Sequence, residues 1–122
     1  AFVNAELRAG VDIVLEAVGL DQKLEGADLV ITGEGQIDRS TAFNKAPVGV
    51  ARLAKKRGIG VVAIAGSLGA GYRQVRELGI DAVFSLVSGP MSLDDAMGKT
   101  RELVKIQAEE IARLILTARQ IP

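Results

Sequence analysis

The chain contains no histidine and no cysteine among its 122 residues. Without cysteine, disulfides and thiolate metal sites are excluded. Without histidine, a Ser-His-Asp triad is excluded, and so is the side chain that enzymes most often use as a general base. Any proton transfer by this chain must therefore use carboxylates, lysines or hydroxyl groups.

An excess of charge of one sign and long hydrophobic runs are also absent. Fifteen basic residues balance fifteen acidic ones, and no segment concentrates Lys and Arg. Nucleic-acid binding through a basic face is therefore not expected. No apolar run approaches the roughly 20 residues of a membrane-spanning helix, and no signal peptide is visible. We therefore expect a cytoplasmic protein with no membrane partner.

Hydrophobic residues, at 48% of the chain, form a pattern of alternating strands and helices. Apolar runs predict strands over residues 29–31, 61–65 and 82–87. Four helices are predicted: one over residues 7–18, a second that starts at Pro47, a short third that ends at Leu78, and a fourth from Ser92 onward. This β-α-β-α-β-α series, preceded by a helix, predicts a three-layer α/β/α, Rossmann-like fold with a parallel sheet. Three strands are few, so an edge is expected to pair with strands of a longer chain or of another copy, by strand exchange or homo-oligomerisation.

Residues at the helix ends refine this prediction. Gly19 is expected to end the first helix, and Pro47 suits the first turn of the second. The basic cluster of residues 55–57 is interpreted as complementing the macrodipole of that helix and not as a phosphate site. Ser92 is expected to cap one long final helix, in which Met97 is predicted to fill the core.

The stretch of residues 28–47 places polar side chains directly after the first strand. Glu34 lies between Gly33 and Gly35, which allow the backbone to turn and to approach a ligand closely. Asp38 adds a second carboxylate and Lys45 a cation. In open α/β sheets ligands bind at this edge, and these groups suit an oxygen-rich, charged ligand with Mg²⁺.

Two common nucleotide motifs do not fit this stretch. Lys45 follows Asn44 and precedes Ala46, which is not the Gly-Lys-Ser/Thr of a P-loop. Asp38 stands where a dinucleotide fingerprint has its third glycine. The structural alternative is that these carboxylates and hydroxyls are caps and turn formers. The same two interpretations apply to the glycine-rich residues 66–71, where Ser67 and backbone N–H groups could bind an anion.

A resemblance favours the functional interpretation. Residues 33–38 (GEGQID), Thr41, Lys45, Pro47 and residues 49–51 resemble the GEGxxD…T…GKxPxGVA signature of the bacterial glycerate kinase family (type I, glycerate 2-kinase). Residues 65–67, 79–85, 89–90 and 92–93 resemble the next segments of that family in the same order. The likeness covers nearly the whole chain. One departure is Asn44, where the family usually has glycine before the lysine.

The resemblance implies an enzyme that phosphorylates D-glycerate with ATP and Mg²⁺ as cofactors. It also implies that this chain is the carboxyl-terminal portion of a longer two-domain kinase and forms one wall of its active cleft. Glu34 and Asp38 would hold Mg²⁺ or the glycerate hydroxyls, and Lys45 would stabilise the transferred phosphoryl group. The remaining implied contacts with substrate or phosphate are Gly33, Gly35, Thr41 and Ser67.

Two points stay open at the level of sequence. The product could be 2- or 3-phosphoglycerate. A non-catalytic, Rossmann-like module that binds a small acidic or phosphorylated metabolite would need the same donors and acceptors. The isolated chain is expected to be inactive on its own, because a cleft with one wall lacks the preorganisation that phosphoryl transfer requires.

Overall fold

The computed structural model describes residues 10–43, 45–87 and 89–122. Its elements, in chain order, are α1 (Gly10–Ala17), α2 (Leu20–Lys23), β1 (Leu29–Ile37), a first 3-10 helix (Arg39–Ala42), α3 (Ala46–Lys56), β2 (Gly60–Leu68), a second 3-10 helix (Tyr72–Leu78), β3 (Ala82–Ser85), α4 (Leu93–Gly98) and α5 (Thr100–Ala118). The start of the first predicted helix, residues 7–9, lies outside the described residues. All strand pairs are parallel, in the order β1-β2-β3, which confirms the predicted α/β class.

The main core lies between the sheet and α3. Side chains alternate between the two faces of a strand, and in β2 Val61, Ala63 and Ala65 are fully buried on one face. They pack in one cluster with Ala51 and Ala54 of α3. Val75 of the second 3-10 helix belongs to the same cluster. Helix α3 and the second 3-10 helix therefore cover one face of the sheet.

Helix α5 packs on part of the opposite face of the sheet, at β2. Ile64 alternates with the core residues of β2 and is buried outside the α3 cluster. Ile64 borders the same cleft as Leu103, a buried residue of α5, and α5 packs on β2. Helices thus flank both faces of the sheet, as the sequence predicts.

Helix α1 packs closely against α3 at Gly49. A Cβ built on Gly49 would lie 3.0 Å from both Leu15 Cδ1 and Val11 Cγ2. The absence of a side chain at this position therefore lets the two helices approach. Gly19 adopts the left-handed conformation (φ 67°) just after α1, where the sequence predicts the helix end.

The basic cluster at the end of α3 makes structural ion pairs. Lys55 Nζ contacts Asp81 Oδ2 at 2.6 Å, and Arg57 Nε contacts Asp21 Oδ1 at 3.0 Å. Asp81 Oδ2 also accepts a hydrogen bond from the Val61 N–H at 2.8 Å, which ties the start of β2 to α3. The Lys55 and Val61 bonds lower the pKa of the Asp81 carboxyl. Lys55 and Arg57 thus have structural ion-pair partners, and the interpretation of the cluster as a complement to the helix macrodipole stays a prediction.

Four predicted boundaries are wrong. Strands β1 and β2 extend into the two glycine-rich segments, beyond their predicted ends at residues 31 and 65, to Ile37 and Leu68. The reason is that glycine lets the two strands stay close enough to pair. Strand β3 is shorter than residues 82–87. The single final helix is two helices, with a break at Lys99 after Gly98.

The prediction that Met97 fills the core is also wrong. Met97 is 66% exposed, because α4 packs chiefly against α5 at the rim of an open cleft. The predicted Ser92 cap is confirmed, since its hydroxyl accepts a hydrogen bond from the Asp95 N–H at 3.1 Å. In the part of the chain that the structure describes, none of the helices has the length and apolarity that crossing a bilayer demands.

Candidate functional site

The two glycine-rich segments lie side by side at the carboxyl ends of β1 and β2. Glu34 pairs with Ala65, and Gln36 pairs with Ser67. Between these pairs, a Cβ on Gly66 would lie 2.6 Å from the carbonyl oxygen of Gly35. Only glycine at position 66 allows this approach without a shift of the backbone. Gly66 therefore serves the pairing of the two strands.

An open cleft of about 1120 Å³ lies between α4 and α5 and the face of the sheet that carries Ile64. Its walls are apolar and include Ile31, Ile64, Met97, Leu103 and Val104. Its polar end is formed by the ends of β1 and β2 and includes four predicted site residues: Gly33, Glu34, Gly35 and Ser67. The structure thus brings together two segments that are more than 30 residues apart in the sequence.

Glu34 is half-buried and is one of the residues that line this cleft. Its Oε1 accepts a hydrogen bond of 3.3 Å from the N–H of Gly35. Ser67, on the paired strand, is exposed and also lines the cleft. Adjacent strands thus bring one carboxylate-bearing and one hydroxyl-bearing residue to the same cleft.

Asp38 and Thr41 form a capping box at the first 3-10 helix. Asp38 Oδ1 accepts hydrogen bonds from the Ser40 N–H at 2.8 Å and from the Ser40 hydroxyl at 2.6 Å. In return, the Asp38 N–H donates to Thr41 Oγ1 at 3.1 Å. Thr41 is fully buried. The structural alternative, that these residues are caps, is confirmed, and ligand binding by Asp38 or Thr41 stays a prediction.

The Asp38 carboxylate is held in its ionised form. The side-chain hydrogen bond from Ser40 is the largest cause that lowers its pKa, followed by the backbone bond from Ser40. The positive charge of Lys45 lowers this pKa further. Lys45 is exposed and stands just before α3, where its carbonyl accepts hydrogen bonds from the N–H groups of Val48 and Gly49. Asp38 and Lys45 therefore present opposite charges beside the end of β1.

The carboxylates are compatible with a partial magnesium site. Within residues 10–43, 45–87 and 89–122, no three acidic side chains come together as metal ligands. Mg²⁺ commonly takes only one or two protein carboxylates and completes its shell with water and phosphate oxygens. The ionised carboxylate of Asp38 fits that pattern as one donor, and Glu34, earlier in the same segment, is a second carboxylate.

Sequence reasoning missed Gln36 as a site residue. Gln36 borders the cleft and pairs with Ser67 across the two strands. Its side chain also lies over Gly69, where a Cβ would collide with it. The available signal was the length of β1: extending the strand through the glycines would have placed Gln36 opposite Ser67.

Comparisons with known proteins identify the family. The family model described as "Glycerate kinase family" matches residues 1–116. A glycerate kinase from Halalkalibacterium halodurans is 52% identical over 112 residues, which are 92% of this chain and 30% of that protein. A glycerate 2-kinase from Escherichia coli K12 is 46% identical over 96 residues, which are 79% of this chain and 25% of that protein.

A solved structure shows the same arrangement. A protein from Salmonella typhimurium LT2, assigned as a glycerate kinase 2, superposes with a TM-score of 0.71 at 39% identity. The match covers 100% of this chain and 30% of that one. The chain thus spans about 30% of the length of most of these relatives. From the family match and the identity to these proteins, the chain belongs to the glycerate kinase family.

Proposed function

We propose that this chain is part of an enzyme that phosphorylates D-glycerate with ATP and Mg²⁺, and that it supplies one wall of the active cleft. Membership of the glycerate kinase family supports the reaction class. The position of one signature segment supports the proposed location of the active cleft. The GEG segment of the family signature forms the polar end of the cleft, with Glu34 and Ser67 on adjacent strands at the sheet edge where α/β proteins bind ligands.

Each charged residue has a distinct proposed role. Glu34 and Asp38 are the residues that would hold Mg²⁺, which neutralises phosphate charge when bound. Lys45 places a cation beside Asp38, where it stabilises negative charge on the transferred group. Because the chain has no histidine, the proton of the glycerate hydroxyl passes to a carboxylate or to a group outside this chain.

The uncharged residues shape the site. A Cβ at Gly35 would meet no atom within 4 Å, so open space adjoins its backbone, and a ligand can approach there. At Gly33 a Cβ would lie 3.2 Å from the carbonyl oxygen of Ile64. Ser67 offers a hydroxyl from the neighbouring strand. We assign Thr41 to the positioning of Asp38, since its buried hydroxyl already accepts the Asp38 N–H.

The test compares a longer protein of full family length with the 122-residue chain. ADP formation is measured with D-glycerate and Mg²⁺, and the product is identified as 2- or 3-phosphoglycerate by phosphorus NMR. We expect turnover in the longer protein and none in the shorter chain. A folded longer protein that binds glycerate without turnover would instead indicate the metabolite-binding module.

A single variant tests the role of Asp38. In the longer protein, Asp38→Asn should lower kcat about 100-fold or more, because it removes one of the two carboxylates that would hold the charge-neutralising Mg²⁺. Asp94→Asn, at an exposed position of α4, is the matched control and should leave kcat unchanged. If Asp38→Asn turns over normally, Asp38 has no part in the mechanism.

A further inference from the structure

The cleft exposes far more apolar side-chain surface than glycerate or a phosphate could use. Ile31 is 47% exposed, Leu93 75%, Met97 66% and Val104 40%, and all four border the cleft. They come from the sheet, from α4 and from α5, so the apolar surface is continuous across three elements. Exposed patches of this kind usually mark an interface.

The apolar stripe of α5 extends this surface. Leu103 and Ile111 are buried against the rest of the chain. Leu114 and Ile115 lie three and four positions after Ile111, on the same side of the helix, yet they are 57% and 40% exposed. The stripe therefore continues past the residues that cover it in this chain.

The extent of the relatives indicates what covers the surface. The Salmonella structure contains the whole fold of this chain, but the fold is only 30% of that protein. The Halalkalibacterium glycerate kinase shows the same proportion. In both, more than two thirds of the polypeptide lies outside the matched region. An apolar, uncharged surface is complementary to the interior of a packed protein and not to a sugar acid or a polyphosphate.

We propose that the surface formed by Ile31, Leu93, Met97, Val104 and Leu114 is an interface on which another part of the same polypeptide packs in the full-length protein. That segment closes the open side of the cleft. The polar end of the cleft, with Glu34 and Ser67, is then the part left accessible to ligands.

The absence of cysteine makes a direct test possible, because one engineered thiol reports on one position. In the longer protein, any cysteines outside this chain are replaced by serine, and Met97→Cys and Leu114→Cys are introduced separately. Lys105→Cys is the control, since Lys105 is exposed on the opposite side of α5 from Leu103 and Ile111. The rate of maleimide labelling is measured for each variant.

We expect Met97→Cys and Leu114→Cys in the longer protein to react at least about tenfold more slowly than Lys105→Cys, because labelling then requires local opening. Equal rates for all three variants would overturn the proposal. The longer protein is labelled over a range of protein concentrations: protection there that grows with concentration would assign the surface to a second copy. Protection of Met97→Cys that requires added nucleotide would assign it to a ligand. Either result would also overturn the proposal.

Discussion

Asp38 performs a structural task with the same groups that the proposed site requires. Its carboxylate oxygen Oδ1 holds Ser40 through two hydrogen bonds, while its N–H is held by Thr41. The capping box fixes the direction of the carboxylate and keeps it ionised. Capping and ligand binding are therefore compatible at this residue, since a fixed carboxylate is better preorganised than a mobile one.

The lowered pKa of Asp38 makes a prediction about acid stability. The pKa of Asp38 in the folded chain lies below 3.8, the ordinary value for an aspartate side chain, so folding stabilises the ionised form. The stabilisation is complete above pH 3.8 and is lost as the pH falls through the lower, folded-state pKa. The free energy of unfolding of the wild type should therefore exceed that of Asp38→Asn near neutral pH, and the difference should shrink in acid.

This prediction is checked by urea unfolding between pH 6 and the most acidic pH at which the chain stays folded. Asp94→Asn corrects for the general effect of removing one negative charge. If the difference in the free energy of unfolding between wild type and Asp38→Asn does not change with pH, the Ser40 bonds do not stabilise the ionised form.

At the scale of residues, the sequence could predict that polar side chains follow the first strand but not the contacts that they make. Glu34 lines the cleft, while Asp38 and Lys45 interact with each other outside its lining, and the catalytic roles of all three stay predictions. The burial of Thr41 depends on the packing of the first 3-10 helix against the second 3-10 helix and α3, which local sequence does not encode. The cap and the ligand contact therefore could not be told apart at Thr41 from the sequence.

At the scale of elements, the pairing of β1 with β2 depends on Gly66. Gly66→Ala would place a Cβ 2.6 Å from the carbonyl oxygen of Gly35. Moving this backbone atom costs more free energy than moving the end of a flexible side chain. We expect a loss of about 1–3 kcal/mol in the free energy of unfolding, the usual cost of overpacking. Chemical denaturation of the chain measures this loss.

The facing glycine provides the control. A Cβ on Gly35 would meet nothing within 4 Å, so Gly35→Ala should change the free energy of unfolding by less than about 1 kcal/mol. Equal losses for Gly66→Ala and Gly35→Ala would mean that the close approach of the strands is not what requires glycine at position 66.

These glycines also explain which elements the sequence could predict. The apolar residues 61–65 identified β2 and its burial on both faces, and Pro47 located the start of α3. Glycine-rich sequence is normally a turn signal, so the last residues of β1 and β2 were interpreted as loops. The break at Lys99 follows Gly98, a single glycine within an otherwise periodic pattern, which is too weak a signal to divide a helix.

At the scale of the whole molecule, the described sheet ends in two strands that pair on one side only. Strand β1 is nine residues long and pairs with β2 alone. Long unpaired edges and exposed apolar surface both promote association between chains. We therefore expect the 122-residue chain to self-associate.

Light scattering coupled to size exclusion measures this tendency. The mass of the 122-residue chain should rise toward that of a dimer or a larger species as the concentration increases. The longer protein, measured in the same buffer, should show a weaker rise, because more of these surfaces are then covered. A clean monomer of the short chain at high concentration would contradict the expectation.

Two backbone hydrogen bonds join the segments that follow β1 and β2. The Gly69 N–H donates to the Ile37 carbonyl at 2.8 Å, and the Arg39 N–H donates to the Ala70 carbonyl at 2.9 Å. Each segment is thus held by the main chain of the other, and neither can swing away alone. Any opening or closing motion of the protein would therefore carry Asp38 and the end of β2 together as a rigid body, with the hinge located outside them.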